Sequence, residues 1–361
     1  MTRLWVQIKA VIRLETKKTF FAKRGLWIYL LALLPILLFL GKSIVESSVS
    51  TNLAKRGEKP LTYQDLLAVK SGMTRQQVIS LLGTPPGDFH WEYRPTGPGS
   101  SGDVQHESYQ YSDGENVLYL ELSEGKVEGT HIRSAFNLGD ESIMFAGVFQ
   151  FFFLRLAVFF GCLGIFMNLF RGEILDHSLH FYFLAPIRRE VLMVGKFLAG
   201  LLATCVIFVA SIVFQTAAFL WQFTPRVRDL YLYHNHGLEH AAIYAGVTVL
   251  ACVGYGAFFL VAGMLFRNPL LPAAAILIWE AINPFLPALL KQFSVIYYLK
   301  SLCPVEVPVQ PGTPSLVALL VSNPNPISPP VAVLGILIVV LLALYVSSVQ
   351  VRRMEINYTA E

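Results

Sequence analysis

The chain has 361 residues, of which 54% are hydrophobic and only 14% charged, with a formal net charge of +4. Soluble domains average roughly 25% charged residues, so the composition excludes an ordinary soluble enzyme and points to a mainly α, polytopic membrane protein. The charge is too small and too dispersed to make a nucleic-acid surface, and no nucleic-acid partner is expected. Of four cysteines, Cys162, Cys205 and Cys252 fall inside apolar runs and Cys303 in a connection, which does not make a disulfide framework.

Residues 1–24 place Leu4, Trp5, Ile8, Val11 and Ile12 on one helical face, with Arg3, Lys9, Arg13 and Lys17 elsewhere. Such a basic amphipathic helix suits a membrane surface rich in anionic lipid, although a solvated basic leader has the same composition. The first span is expected at residues 25–44, short and open to a kink at Pro35; it has no cleavage-like small-residue site and reads as an anchor.

Residues 45–142 are polar, with Gly and Pro clusters, and are expected to form an external α+β domain inserted between the first two spans. Thr74 and Gln77 form a capping box, Val78, Leu81 and Leu82 a buried stripe, and Gly83 followed by Pro85 a helix stop. Strands are expected at 89–93, 107–111 and 117–122, with 127–132 continuing the sheet and 95–102 as a flexible connection. The run from Gly72-Met73-Thr74 to Gly83, with Trp91 and Tyr93 following, looks like the SmpA/OmlA fold of small periplasmic lipoproteins that assist outer-membrane assembly. The resemblance covers about residues 61–132 and lacks a lipid-attachment cysteine, so it implies the fold and a periplasmic protein partner rather than the assembly role.

Further spans are expected at 143–170, 191–222, 241–266, 269–290 and 331–350, giving six transmembrane helices in all. A polar external loop (223–240), a Pro-rich external and re-entrant segment (291–330) and a cytoplasmic tail (351–361) complete the chain. With both termini inside, the cytoplasmic segments hold thirteen Lys or Arg and the opposite short loops four, which favours that orientation.

The charged bridge between spans two and three reads RGEILDHSLHFYFLAPIRREVLMVGK. Ile174, Leu175, Leu179 and Tyr182 recur at helical spacing, Pro186 ends that helix, and Arg188 and Arg189 mark the start of the next span. An ordinary positive-inside loop accounts for the charges alone. The wording, with an acidic residue, a short interfacial helix, a Pro-Ile-x-Arg step and a Gly-Lys opening the next span, resembles the segment joining spans two and three of ABC-2 type transporter permeases. The resemblance covers about residues 1–45 and 141–361. It implies a coupling segment (171–190) in which Arg171, Glu173, Asp176, Leu179, Arg188 and Arg189 meet a separate ATPase subunit. It also implies a homodimer or heterodimer of permeases in membrane lipid of the cytoplasmic (inner) membrane. ATP and Mg would then belong to the partner, with no cofactor in this chain and export of a substrate as the activity. A non-transporting scaffold that displays the external domain is one alternative, and a membrane zinc peptidase using His236, Glu239 and His240 is another.

Phosphate-binding chemistry in this chain is not expected. The only Gly-Lys-Ser, at residues 41–43, lacks the earlier glycine of a phosphate loop because position 36 is isoleucine, so the chain is not expected to be an enzyme by itself. His236, Glu239 and His240 spell a zinc-hydrolase motif without an evident third ligand, with His234 nearby, and a polar helix start explains them as well. Arg155 and Glu280 are ionisable residues expected near the bilayer midplane, where a lone charge costs at least about 2.5–3.5 kcal/mol. They are expected either to pair across spans two and five or to face a neighbouring subunit. Ala242 with Gly246, and Gly254 with Gly256, are small-residue patterns that permit close helix contact.

Overall fold

The computed structural model describes residues 2–21, 25–93, 104–114, 116–134, 137–175, 184, 188–223, 225–266, 268, 270–308 and 327–353. Backbone polar groups in a bilayer must be satisfied within the chain, and long apolar runs do this as helices. Five described helices are long and apolar enough to cross a membrane: Leu26–Val45, Leu138–Glu173, Arg189–Trp221, Gly237–Leu265 and Pro329–Arg353. This is the architecture of a multi-pass membrane protein. The chain divides into two compact units, one of residues 1–37, 142–217 and 226–361, the other of residues 38–141 and 218–225.

The second unit holds the inserted sheet. Helix α1 (Thr2–Phe21) and the first part of α2 (Leu26–Arg56) belong to the first unit, while α3 (Tyr63–Leu67) and α4 (Arg75–Leu82) precede the sheet in the second. Strands β1 (Gly87–Tyr93), β2 (Val104–Ser112), β3 (Asn116–Ser123) and β4 (Lys126–Ser134) form an antiparallel meander in the order β1-β2-β3-β4. The capping box of α4 forms in full: Thr74 Oγ1 accepts from Gln77 N at 3.4 Å, and Thr74 N donates to Gln77 Oε1 at 2.9 Å. Gly83 ends α4 at φ +87°, a left-handed value that only glycine adopts without strain. Alternation along β3 puts Leu118, Leu120 and Leu122 inward with Tyr109 and Tyr111 of β2, against Val78 and Leu82 of α4 and Leu66 of α3. Helix α3 is absent from the sequence expectation; its own capping box, Thr62 with Asp65, is the signal that marks it. The side chains of Trp91 and Tyr93 lie outside the described set.

In the first unit, the expected second span is not a uniform α-helix. It runs as α5 (Leu138–Gly147), a π-helical stretch (Val148–Val158), α6 (Phe159–Phe166) and α7 (Asn168–Leu175). The wider π turn brings the rings of Phe149 and Phe153 into a stack, 5.6 Å apart. The remaining helices are α8 (Arg189–Trp221), α9 (Pro225–His234), α10 (Gly237–Leu265), α11 (Leu270–Ile282), α12 (Ala288–Lys291), α13 (Val295–Leu302) and α14 (Pro329–Arg353). The best-packed of the long helices is α10. A Cβ on Gly256 would fall 2.5 Å from the Phe166 ring and one on Gly254 2.8 Å from Val295, so both glycines permit close packing, whereas Gly246 has open space around it.

Two expected elements take a different form. The fifth expected span, 269–290, is a 13-residue helix, α11, followed by the 3-10 turn Asn283–Phe285; at about 1.5 Å per residue α11 reaches only about 20 Å of a roughly 30 Å core. Pro284 and Pro287 stop it early. The expected loop 223–240 is largely helical, as α9, and α10 begins at Gly237 rather than at 241. The expected first span is present as Leu26–Val45, with Pro35 inside α2, and the helix continues to Arg56. Residues 309–326 of the Pro-rich segment lie outside the described residues.

Candidate functional site: a buried ion cluster at the roots of the charged segment

The chemistry of the first unit concentrates where α1, α7 and α8 meet. Lys196 follows Gly195 near the start of α8, and its side chain is 0% exposed. A buried ammonium must find acceptors for its three protons or lose its charge. Lys196 Nζ finds Glu15 Oε1 of α1 at 2.8 Å and the Leu169 carbonyl of α7 at 2.9 Å. Glu173 Oε2, one turn beyond Leu169, is also 2.8 Å away; its angle makes it an ion-pair contact rather than a formal hydrogen bond. Phe170 closes the remaining side, with its ring centre 5.4 Å from Nζ. Glu173 Oε1 in turn accepts from Lys18 Nζ of α1 at 3.3 Å.

Local sequence explains why these groups converge. Val11 and Glu15 lie one turn apart on α1, so they share a face. Gly195 lets that face approach α8, since a Cβ there would fall 2.8 Å from Val11 Cγ1. Glu15 then reaches Lys196 one residue later in α8. Two carboxylates and two ammonium groups balance, and three of the four are buried, with Lys18 half exposed. Beside the cluster lies a cavity of about 460 Å³ whose walls include Glu15, Lys18, Tyr29, Asn168, Glu173 and Ile207. The cluster therefore ties both roots of the charged segment, the end of α7 and the start of α8, to the basic amphipathic helix.

The expected partner-facing residues separate. Arg188 and Arg189 are exposed at the start of α8. Arg189 Nη1 donates to the Arg352 carbonyl at 3.0 Å, and Arg352 Nε pairs with Glu190 Oε1 at 2.6 Å, tying α8 to the end of α14. Arg171 is half buried and takes no part in the cluster. Glu173, expected to meet a partner, is instead turned inward and buried by Lys196. Asp176 and Leu179 lie outside the described residues. Glu15 carries no recognisable sequence motif. Its signal is that it is the one acidic residue in a basic helix, four positions after Val11.

The expected ion pair between Arg155 and Glu280 is replaced by a different arrangement. Glu280 is buried and caps α13: its carboxylate accepts from Ser294 Oγ at 2.6 Å, Val295 N at 2.9 Å and Ile296 N at 3.0 Å. Three donors at a helix N-terminus satisfy a carboxylate without a cation. Arg155 stands over the Phe151 ring at 5.7 Å, and its Nε has no hydrogen-bond partner.

His236, Glu239 and His240 do not converge on a point where a metal would sit. His236 Nδ1 meets Glu239 Oε2 at 2.8 Å, while His240 Nδ1 faces Tyr231 Oη at 3.5 Å. Among the described residues no group of three His, Cys, Asp or Glu side chains could hold an ion. Comparison with family models, with characterised proteins and with solved structures gives no match to this chain.

Proposed function

We propose that the chain is the transmembrane permease subunit of an ATP-driven exporter of the ABC-2 type, working in the cytoplasmic membrane with a separate ATPase subunit. The observation that supports this most is the Lys196 cluster. A segment that receives work from a partner must be joined stiffly to the spans it moves, and a largely buried ion cluster makes such a joint. Here the joint lies at both roots of the 171–190 segment, beside Arg188, which is exposed just before α8. On this reading α11 with residues 283–291 is a short fifth crossing, so six crossings place both termini in the cytoplasm. Permeases would assemble in pairs, the inserted domain would lie outside as a protein-binding module of SmpA/OmlA type, and ATP with Mg would act in the partner.

The test is co-purification. An ATP-binding subunit should be retained by the wild-type chain and lost on Arg188→Glu with Arg189→Glu, while the chain still inserts and folds. Retention by the reversed variant would contradict the reading. A second reading, a scaffold that displays the inserted domain, is favoured by one feature: that domain has a complete hydrophobic core of its own. It predicts that the chain functions with no ATPase present.

A further inference from the structure

The other side of α1 carries a second feature, independent of the transport reading. Lys9, Arg13 and Lys17 recur every four residues, so they form a column on one face with about 6 Å between successive members. All three are exposed, and among the described residues none of them forms an ion pair. Lys18, by contrast, is committed to Glu173. The column flanks an open groove of about 700 Å³, lined by Ile12 and Phe20 of α1 and by Leu202 of α8. The stems of Lys9, Arg13 and Lys17, with Thr16 and Tyr29, complete the lining, and most of its exposed surface is apolar. The groove adjoins an apolar surface that lipid can cover, since Leu30 and Leu33 of α2 and Leu202 and Val206 of α8 are all roughly half exposed or more.

We propose that this groove binds one anionic phospholipid, with its phosphate on the Lys9–Arg13–Lys17 column and an acyl chain along Ile12, Phe20 and Leu202. Charge complementarity selects the headgroup, and the apolar lining selects an amphiphile over a free anion. Because Val11 and Glu15 hold α1 against α8, the column and the slot keep a fixed spacing, which a helix loosely adsorbed to the bilayer would lack.

The experiment titrates the full chain in detergent with phosphatidylglycerol, with phosphatidylcholine of the same acyl chains, and with glycerol 3-phosphate, counting bound molecules by native mass spectrometry. One phosphatidylglycerol should be retained per chain, at least about tenfold more tightly than phosphatidylcholine. Arg13→Gln with Lys17→Gln should weaken phosphatidylglycerol roughly 30-fold, because each cation near the surface contributes about 1 kcal/mol, and should leave phosphatidylcholine unchanged. Leu202→Trp fills the slot with the charges intact and should weaken the binding of both lipids. Equal binding of the two lipids, competition by glycerol 3-phosphate as strong as by the lipid, or an unaltered Leu202→Trp variant would overturn the proposal. So would a second copy of the chain found cross-linked through the Lys9 face.

Discussion

Lys196 Nζ lies 2.8 Å from Glu15 Oε1 across 181 positions of sequence, and neither side chain reaches solvent to any useful extent. An ammonium so placed is held by its partners and cannot be left alone. The same pair joins the basic helix α1 to the head of α8, so the packing of both helices depends on one set of contacts.

Breaking this cluster should be costly. Lys196→Ala leaves Glu15 and Glu173 buried side by side and should cost about 3–5 kcal/mol, the usual penalty for stranding a buried charge. Thermal unfolding in detergent should show the loss. Exchanging the charges, as Glu15→Lys with Lys196→Glu, should restore less than the whole, because Glu173 then faces a carboxylate.

Glu280 should behave as a helix cap. Glu280→Ala removes the acceptor for Ser294, Val295 and Ile296 and should cost at least about 1–2 kcal/mol. Hydrogen exchange should rise first at Val295 and Ile296. Joint reversal, Arg155→Glu with Glu280→Arg, should fail to rescue either single reversal; full rescue would show a pair that the geometry does not contain.

The inserted domain should lose stability at high pH. Burial pushes the Tyr111 phenol from its ordinary value near 10 up to about 12, and burial with the neighbouring Glu107 carboxylate pushes Tyr109 higher still. Both raised values belong to the folded state, which therefore favours the protonated phenol. Both contributions are complete below about pH 10; that of Tyr111 is lost as pH climbs from there through about 12, and that of Tyr109 at higher pH still. Tyrosine absorbance against pH should show a late component that coincides with unfolding of residues 63–134. Tyr111→Phe should weaken the domain by about 1 kcal/mol at neutral pH through loss of the bond to the Gly83 carbonyl, yet shift the alkaline midpoint upward.

Local signals within this domain should carry measurable weight. Thr74→Ala should cost about 1 kcal/mol through the lost cap. Gly83→Ala should cost about 1–2 kcal/mol, because it forces a side chain into the left-handed region and toward Glu58, whose Oε2 lies 3.4 Å from the new Cβ.

These contrasts explain what the sequence makes legible. The α4 cap, the inward leucines of β3 and the apolar runs are short-range patterns, and each forms as its period requires. The π-helical stretch is hidden, because a run as apolar as residues 148–158 carries no periodicity that separates 3.6 residues per turn from more. The truncation of α11 is marked by Pro284 and Pro287, but hydropathy alone carries the apolar run past them. The ion cluster draws on residues 15, 169, 173 and 196, and Glu280 finds its partners at 294–296; such convergence depends on packing that no local window records.

The central claim concerns the segment whose two ends the Lys196 cluster holds, and its sidedness is the most direct test. Arg188→Cys, in a background with Cys205 and Cys303 replaced by serine, offers an exposed thiol at that segment. In oriented vesicles a membrane-impermeant maleimide should label it only from the cytoplasmic face, and added ATPase subunit should protect it. Labelling from the external face, with or without the ATPase, would contradict the account.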